Sequence, residues 1–91
     1  MRDKRRKRQN PERVMERAEE LAKALGFTMQ ELQKEDKSPL KILARNMICV
    51  NLRDTMDVPY VDLAEAFHRD KSSIFLSVKS GRMLMDFINK I

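Results

Sequence analysis

The sequence predicts a single all-α domain of about six helices, and three observations favour this class. Only two glycines and three prolines occur among the 91 residues, which leaves little material for the tight turns of β-hairpins. Hydrophobic residues make up 42% of the chain, enough for one modest core at this length. Apolar side chains recur every three or four residues along most of the chain, which is the period of an amphipathic helix.

The first half of the chain contains signals for three helices. Asn10-Pro11 combines a capping residue with a proline that fits the first helical turn, and Gly26 suits the left-handed residue that ends such a helix. Thr28 and Glu31 have the spacing of a capping box and predict a second, short helix. Ser38-Pro39 predicts the start of a long central helix, whose broad apolar stripe indicates neighbours on more than one side.

Three more helices are predicted in the second half. After an interruption at residues 57–59, residues 60–67 form a short amphipathic segment, and residues 68–70 break the pattern again. Asp70 is a good N-cap for the helix that follows. We expect the buried side of that helix to consist of Ile74, Phe75 and Val78. Gly81 is then expected to separate it from a last helix.

The net charge of +5 is concentrated at the N-terminus. Residues 1–10 hold six basic side chains and one acidic one, whereas residues 11–91 hold equal numbers of both signs. We expect residues 1–9 to be a disordered arm that contacts DNA phosphates, and residues 10–91 to be the helical domain. The alternative is a solubilising or RNA-binding arm without a defined site. The basic residues of the arm are Arg2, Lys4, Arg5, Arg6, Lys7 and Arg8.

Composition argues against several other classes. Cys49 is the only cysteine, which precludes an internal disulfide, and with the single histidine, His68, it does not complete a usual zinc site. No paired carboxylates and no nucleophile–base set stand out, so we expect neither an enzyme nor a cofactor. No apolar run approaches the length of a spanning helix, so we expect no membrane association and a cytoplasmic location.

Residues 58–79 have the pattern of a helix-turn-helix, in which two short helices are joined by a tight turn. The second helix of such a unit places its N-terminal residues at base edges in the major groove of DNA. The residues that fit this role are Arg69, Asp70, Lys71, Ser72, Ser73 and, two turns further on, Lys79. Leu76 lies on the same side, where it either touches a thymine methyl group or marks a protein contact.

The run from Tyr60 to Ile74 resembles the C-terminal DNA-binding domain of the bacterial replication initiator DnaA, and the wider resemblance covers about residues 12–82. The signature of that family contains F-G-G-R-D-H-T-T-V. Three of its positions are matched directly, by Phe67, Arg69 and Asp70. Other positions carry replacements, with Lys71 in place of His, Ser72 and Ser73 in place of the Thr pair, and Ile74 in place of Val. One glycine of the signature is missing, so the turn at His68 is one residue shorter.

The resemblance implies a Trp-repressor-like helix-turn-helix fold that binds double-stranded DNA. The residues that would inherit DNA contacts are Asp70, Ser72 and Ser73, which read bases, and Arg69 and Lys79, which touch phosphates or base edges. Arg45 would inherit a contact in the minor groove, whereas the helix start at Ser38-Pro39 predicts that Arg45 lies inside a helix. Because 91 residues leave no room for the ATPase domain of that family, we expect a free-standing reading domain. It would be associated with a bacterial nucleoid, or encoded by a bacterial virus or mobile element.

These features together favour a non-enzymatic regulator of transcription or replication that binds double-stranded DNA. The alternative is a protein-interaction module that keeps the fold, has lost base reading, and binds the replication or transcription machinery through Leu76 or the acidic first helix. A third hypothesis, RNA binding, rests on the basic arm alone. The sequence leaves the recognised DNA site and the oligomeric state open.

Overall fold

The computed structural model describes residues 10–35 and 37–90, and within them the chain is helical with no strand. The helices are α1 (Pro11–Ala24), α2 (Met29–Gln33), α3 (Pro39–Met56), α4 (Tyr60–Phe67) and α5 (Lys71–Lys90). The all-α prediction is confirmed, whereas the expectation of about six helices is wrong for the described residues, which form five. The predicted basic arm, residues 1–9, lies outside the described residues.

Local capping fixes the first two helices where the sequence predicts them. The Asn10 side chain accepts a hydrogen bond from the Glu12 N–H at 2.8 Å. Gly26 has a φ of +89°, the left-handed conformation that follows α1. At α2, the Thr28 hydroxyl accepts from the Glu31 N–H at 3.1 Å, and the Glu31 carboxylate accepts from the Thr28 N–H at 2.9 Å. This reciprocal pair is the predicted capping box.

α3 is the central helix of the body. It packs against α1, α2 and α5, and α4 contacts the same three helices. Residues from all five helices meet in one hydrophobic core. The largest fully buried side chains of this core are Leu32, Ile48, Leu52, Leu63, Phe67 and Ile74. The close packing of such a core holds α4 and the first half of α5 in fixed positions on the body.

α5 continues without a break through Gly81, so the predicted helix end at this position is absent. Gly81 is buried against α3, and a Cβ atom there would lie 2.5 Å from Val50 Cγ2 and 2.8 Å from the Asn46 carbonyl oxygen. The glycine therefore allows α3 and α5 to approach each other closely and does not terminate a helix. A glycine that ends a helix and a glycine that allows two helices to pack closely look the same in the sequence. Only the contact with α3 shows that Gly81 is of the second kind.

Several apolar side chains that the helical period assigns to the core are exposed. Phe75 is 54% exposed, contrary to the expectation that it lies on the buried side of α5. The other exposed apolar side chains of α3 and α5 include Leu40, Leu43, Leu76, Met83, Phe87 and Ile88. Even so, none of the described helices is both long enough and apolar enough to cross a membrane.

Candidate nucleic-acid interface

Three residues, His68, Arg69 and Asp70, connect α4 to α5. His68 has a φ of +55° and donates its N–H to the Glu65 carbonyl at 3.3 Å. The Arg69 N–H donates to the Ala64 carbonyl at 2.9 Å. These two bonds satisfy carbonyls in the last turn of α4 and direct the chain into α5. His68 is therefore a turn residue in the left-handed conformation.

Asp70 caps α5, as predicted. Its carboxylate accepts a hydrogen bond from the Ser73 backbone N–H at 2.9 Å, and its carbonyl accepts one from the Ile74 N–H at 3.2 Å. Hydrogen bonds from the side chain and the backbone of Ser73 lower the pKa of Asp70 below its ordinary value. Because Asp70 is also exposed, capping is compatible with accepting a hydrogen bond from a cytosine amino group.

Arg69 fastens this turn to the end of α2. Its Nη2 donates to the Lys34 carbonyl at 2.7 Å, and its Nη1 donates to the Gln33 carbonyl at 3.1 Å. The Nε2 of Gln33 in turn donates to the Ala66 carbonyl at 2.8 Å. The guanidinium thus supplies donors to carbonyls that the end of α2 leaves open. The guanidinium of Arg69 therefore positions the turn, and its expected contact with phosphates or base edges stays a prediction.

Arg45 lies inside α3, as the helix start at Ser38-Pro39 predicts. The residue is only 8% exposed, and its Nη1 donates to the Leu32 carbonyl at 3.1 Å. A guanidinium that is held between α3 and α2 does not reach into a minor groove. The minor-groove contact expected of Arg45 is therefore replaced by a structural role, in which the side chain joins the central helix to α2.

The first three turns of α5 present a polar face to solvent, which we call the outer face. Its members are Lys71, Ser72, Ser73, Leu76 and Lys79, all of them exposed. Ile74 and Val78 are buried in the core, and at 3.6 residues per turn they point away from Ser72, Leu76 and Lys79. Lys71 lies nearer the side of Ile74 and Val78 but is exposed as the first residue of the helix. Residues 71–79 contain two lysines and no acidic residue. Within the described part of the chain, neither lysine has an ion-pair partner.

An apolar depression of about 380 Å³ borders the outer face. Its lining consists of Tyr60, Lys71, Ser72, Phe75 and Leu76. The rings of Tyr60 and Phe75 lie 5.7 Å apart between centroids, with an angle of 59° between their planes. The Arg53 guanidinium stacks over the Tyr60 ring with its Cζ 4.3 Å from the centroid, and its Nη1 donates to the Val58 carbonyl at 3.0 Å. This stack links α3, α4 and α5 beside the outer face.

Sequence reasoning missed Arg53, Tyr60 and Phe75 as parts of this surface. Tyr60 and Phe75 fit the apolar period of their own helices, and the ring contact between the two helices is not visible in either segment alone. No local signal was available at Phe75, because residues 74, 75 and 78 span about 100° of the helix and fit one buried stripe.

A second depression, of about 320 Å³, lies beside the first turn of α5. Its lining consists of Glu35, Lys37, Ile42, Arg45, Arg69 and Ser73. Three of these side chains are cationic and one is anionic, so the surroundings of the α5 N-terminus carry net positive charge. Lys37 is exposed in the connection between α2 and α3, and it extends the basic surface beyond α5 itself.

Neither a metal site nor a reactive thiol accompanies this face. Within residues 10–35 and 37–90, no group of three or more His, Cys, Asp or Glu side chains is placed to hold a metal ion. Cys49 is buried in α3, and its burial raises the pKa of the thiol to about 12, against a smaller lowering effect of Arg45. The thiol is therefore protonated and inert at neutral pH.

Comparison of this chain with protein-family models, with curated proteins and with solved structures finds no match. The resemblance to the initiator domain therefore stays a prediction, and function has to be inferred from the residues of the outer face.

Proposed function

We propose that this chain is a non-enzymatic protein that binds double-stranded DNA through the outer face of α5, with α4 and α5 acting as a helix-turn-helix. The observation that carries the proposal is the outer face itself, in which polar and basic side chains project from a helix whose opposite side is buried in the core. An exposed helix of this kind fits the width of the major groove. Regulation of transcription or replication is the biological role that we propose with it.

The distribution of charge supports a polyanionic partner on this side of the molecule. Lys71 and Lys79 belong to the outer face, and Lys37 lies near its first turn. α1, in contrast, carries four acidic side chains, Glu12, Glu16, Glu19 and Glu20, against three basic ones, Arg13, Arg17 and Lys23. The field is therefore more positive near α5 than near α1, which orients the chain as it approaches DNA.

Direct readout requires side chains that donate and accept hydrogen bonds at base edges. Ser72 and Ser73 each offer a hydroxyl that does both, and Lys71 offers donors suited to guanine O6 and N7. We assign Lys79, two turns further along α5, to a phosphate. Asp70 fixes the start of the helix and is free to accept from a base as well.

The anchoring of the turn supports the same proposal. The outer face follows immediately after a connection that is fastened to the end of α2 by the Arg69 guanidinium. The Gln33 side chain adds a second tie, to the end of α4. A reading surface held in place before binding loses less conformational freedom when DNA docks, which favours both affinity and discrimination.

A separate observation favours a second candidate function, that of a protein-interaction module with the same fold. The second half of α5 exposes Met83, Phe87 and Ile88. A groove of about 290 Å³ lies next to it, lined by residues of α1 and α3 together with Met85. Exposed apolar surface of this kind commonly marks a contact with another protein. The two candidates use different halves of α5, so substitutions separate them.

Equilibrium titration of the full chain with random-sequence duplex DNA at several salt concentrations tests the proposal. Lys79→Ala is expected to weaken binding and to flatten the slope of log K against log salt by about 0.9, the value for one lost phosphate contact. Lys23→Ala, which removes the same charge from α1, is the matched control and is expected to change neither quantity. Selection from a randomised duplex pool is expected to return different preferred sites for the wild type and for Lys71→Ala. Absence of binding, or equal losses for Lys79→Ala and Lys23→Ala, contradicts the proposal.

A further inference from the structure

Leu76 is the one member of the outer face that neither caps a helix, carries a polar or charged group, nor packs in the core. The side chain is 60% exposed and lies on the same side of α5 as Ser72 and Lys79. Phe75, the residue before it, is exposed beside it and lines the same depression. An apolar group at the centre of a polar and basic surface gains from binding only where the partner also presents an apolar group.

Major-groove DNA presents one apolar group at its base edges, the 5-methyl group of thymine. A helix that docks with Ser72 at base edges and Lys79 at a phosphate brings Leu76, which lies between them, to the floor of the groove. The two lysines that flank Leu76, and the lack of acidic residues in this segment, favour this polyanionic partner over a neutral apolar protein surface.

We propose that Leu76, with the adjoining wall formed by Tyr60 and Phe75, binds thymine methyl groups, so that the preferred duplex carries thymines beneath the second turn of α5. This inference rests on the proposed function and adds the base preference to it. The wall is preformed, because the Tyr60 ring packs on Phe75 and is also in contact with the Arg53 guanidinium. Lys71 and Ser72 line the same depression, which brings hydrogen-bonding groups next to the apolar contact.

Two A·T duplexes of identical, irregular sequence test this inference, one built with thymine and the other with deoxyuridine, which lacks only the methyl group. We expect the wild-type full chain to prefer the thymine duplex by about fourfold for each methyl group buried. A G·C duplex is expected to bind more tightly when its cytosines carry the same 5-methyl group, which controls for differences in duplex stiffness between A·T and deoxyuridine DNA.

Leu76→Ala is expected to abolish the preference and to bind both A·T duplexes about as well as the wild type binds the deoxyuridine form. Met83→Ala is the matched control, because Met83 is 64% exposed on the same helix but lies outside the depression, and it is expected to keep the preference. Both side chains are exposed, so the helix content measured by circular dichroism is expected to stay unchanged.

Equal affinity of the wild type for thymine and deoxyuridine duplexes overturns the inference, and the proposed function survives if Lys79→Ala still weakens binding. A preference that persists in Leu76→Ala, or that disappears equally in Met83→Ala, also overturns it. Absence of binding to every duplex overturns the inference and the proposed function together.

Discussion

The guanidinium of Arg69 and the backbone carbonyl of Gln33 form a hydrogen bond of 3.1 Å that joins the turn before α5 to the end of α2. The Gln33 side chain donates in the other direction, to the Ala66 carbonyl at 2.8 Å near the end of α4. Arg69 thus satisfies an open carbonyl at the end of α2, and Gln33 satisfies one at the end of α4. Together with the core packing of Ile74 and Val78, this pair of ties fixes the position of the outer face of α5 on the body.

Loss of the Arg69 guanidinium is expected to destabilise the fold. Arg69→Ala removes the hydrogen bonds of a charged donor to the Gln33 and Lys34 carbonyls, together with a longer one to the His68 carbonyl, so we expect a loss of about 2 kcal/mol in the free energy of unfolding. Urea unfolding measures it, and Arg69→Lys is expected to restore part of the loss. Lys71→Ala is the control, with an expected change within about 0.5 kcal/mol because the side chain is exposed. An unchanged urea midpoint for Arg69→Ala contradicts the positioning role.

Substitution at Gly81 tests the close approach of α3 and α5. Alanine is the better helix former by about 1 kcal/mol, but its Cβ would collide with Val50 Cγ2 and with the backbone carbonyl of Asn46, which has little freedom to move. We therefore expect Gly81→Ala to lower the free energy of unfolding by about 1 to 2 kcal/mol. Ser80→Ala, at an exposed position on the same helix, is expected to be neutral or slightly stabilising. A stabilised Gly81→Ala variant in thermal unfolding would mean that the two helices are not in close contact.

The Asp70 cap is expected to make stability depend on pH in the acid range. Its pKa is lowered in the folded chain, so the unfolded chain takes up the proton at the higher pH. The stabilisation is therefore complete above the unfolded pKa of about 4 and is lost as the pH falls through the lower folded value. Asp70→Asn keeps a capping side chain without the titration. We expect the difference in melting temperature between wild type and Asp70→Asn to shrink on acidification, and a difference that is independent of pH argues against the ionised cap.

Cys49 provides a probe of global unfolding. Because burial raises the pKa of its thiol from the ordinary value of 9.0 to about 12, a thiol reagent at mildly alkaline pH is expected to react slowly with the folded chain and rapidly in urea. The unfolded thiol loses its proton first, so stability is expected to fall as the pH rises above 9.0 toward 12, and Cys49→Ala is expected to lack this decline. Rapid modification of the native chain would contradict the burial of Cys49.

Helix boundaries were predictable wherever their cause lies within a few residues of chain. The caps at Asn10, Thr28 and Asp70 each bond to a backbone N–H two or three positions ahead, so the sequence alone reveals them. The same holds for the outer face. Once the start of α5 is placed at Asp70, the helical period selects which of its residues point away from the core.

Features that depend on distant contacts were not predictable. Gly81 has the appearance of a helix end until α3 is placed against it. The hydrogen bonds from Arg45 and Arg69 to carbonyls at the end of α2 leave no signal in the sequence around either arginine. Phe75 is assigned to the core by its spacing, although its ring packs at the surface on Tyr60 of the neighbouring helix. In each case the deciding partner belongs to another helix.

Site-directed cross-linking tests most directly whether the outer face of α5 contacts duplex DNA. A photoreactive group attached at Ser72→Cys reports on the outer face, while the buried thiol of Cys49 stays unlabelled in the folded chain. The same label at Ala24→Cys, an exposed position on α1, is the control. We predict efficient cross-linking to a random duplex from position 72, little from position 24, and suppression of the first by unlabelled duplex. Equal cross-linking from both positions, or none from position 72, would contradict DNA binding through this face.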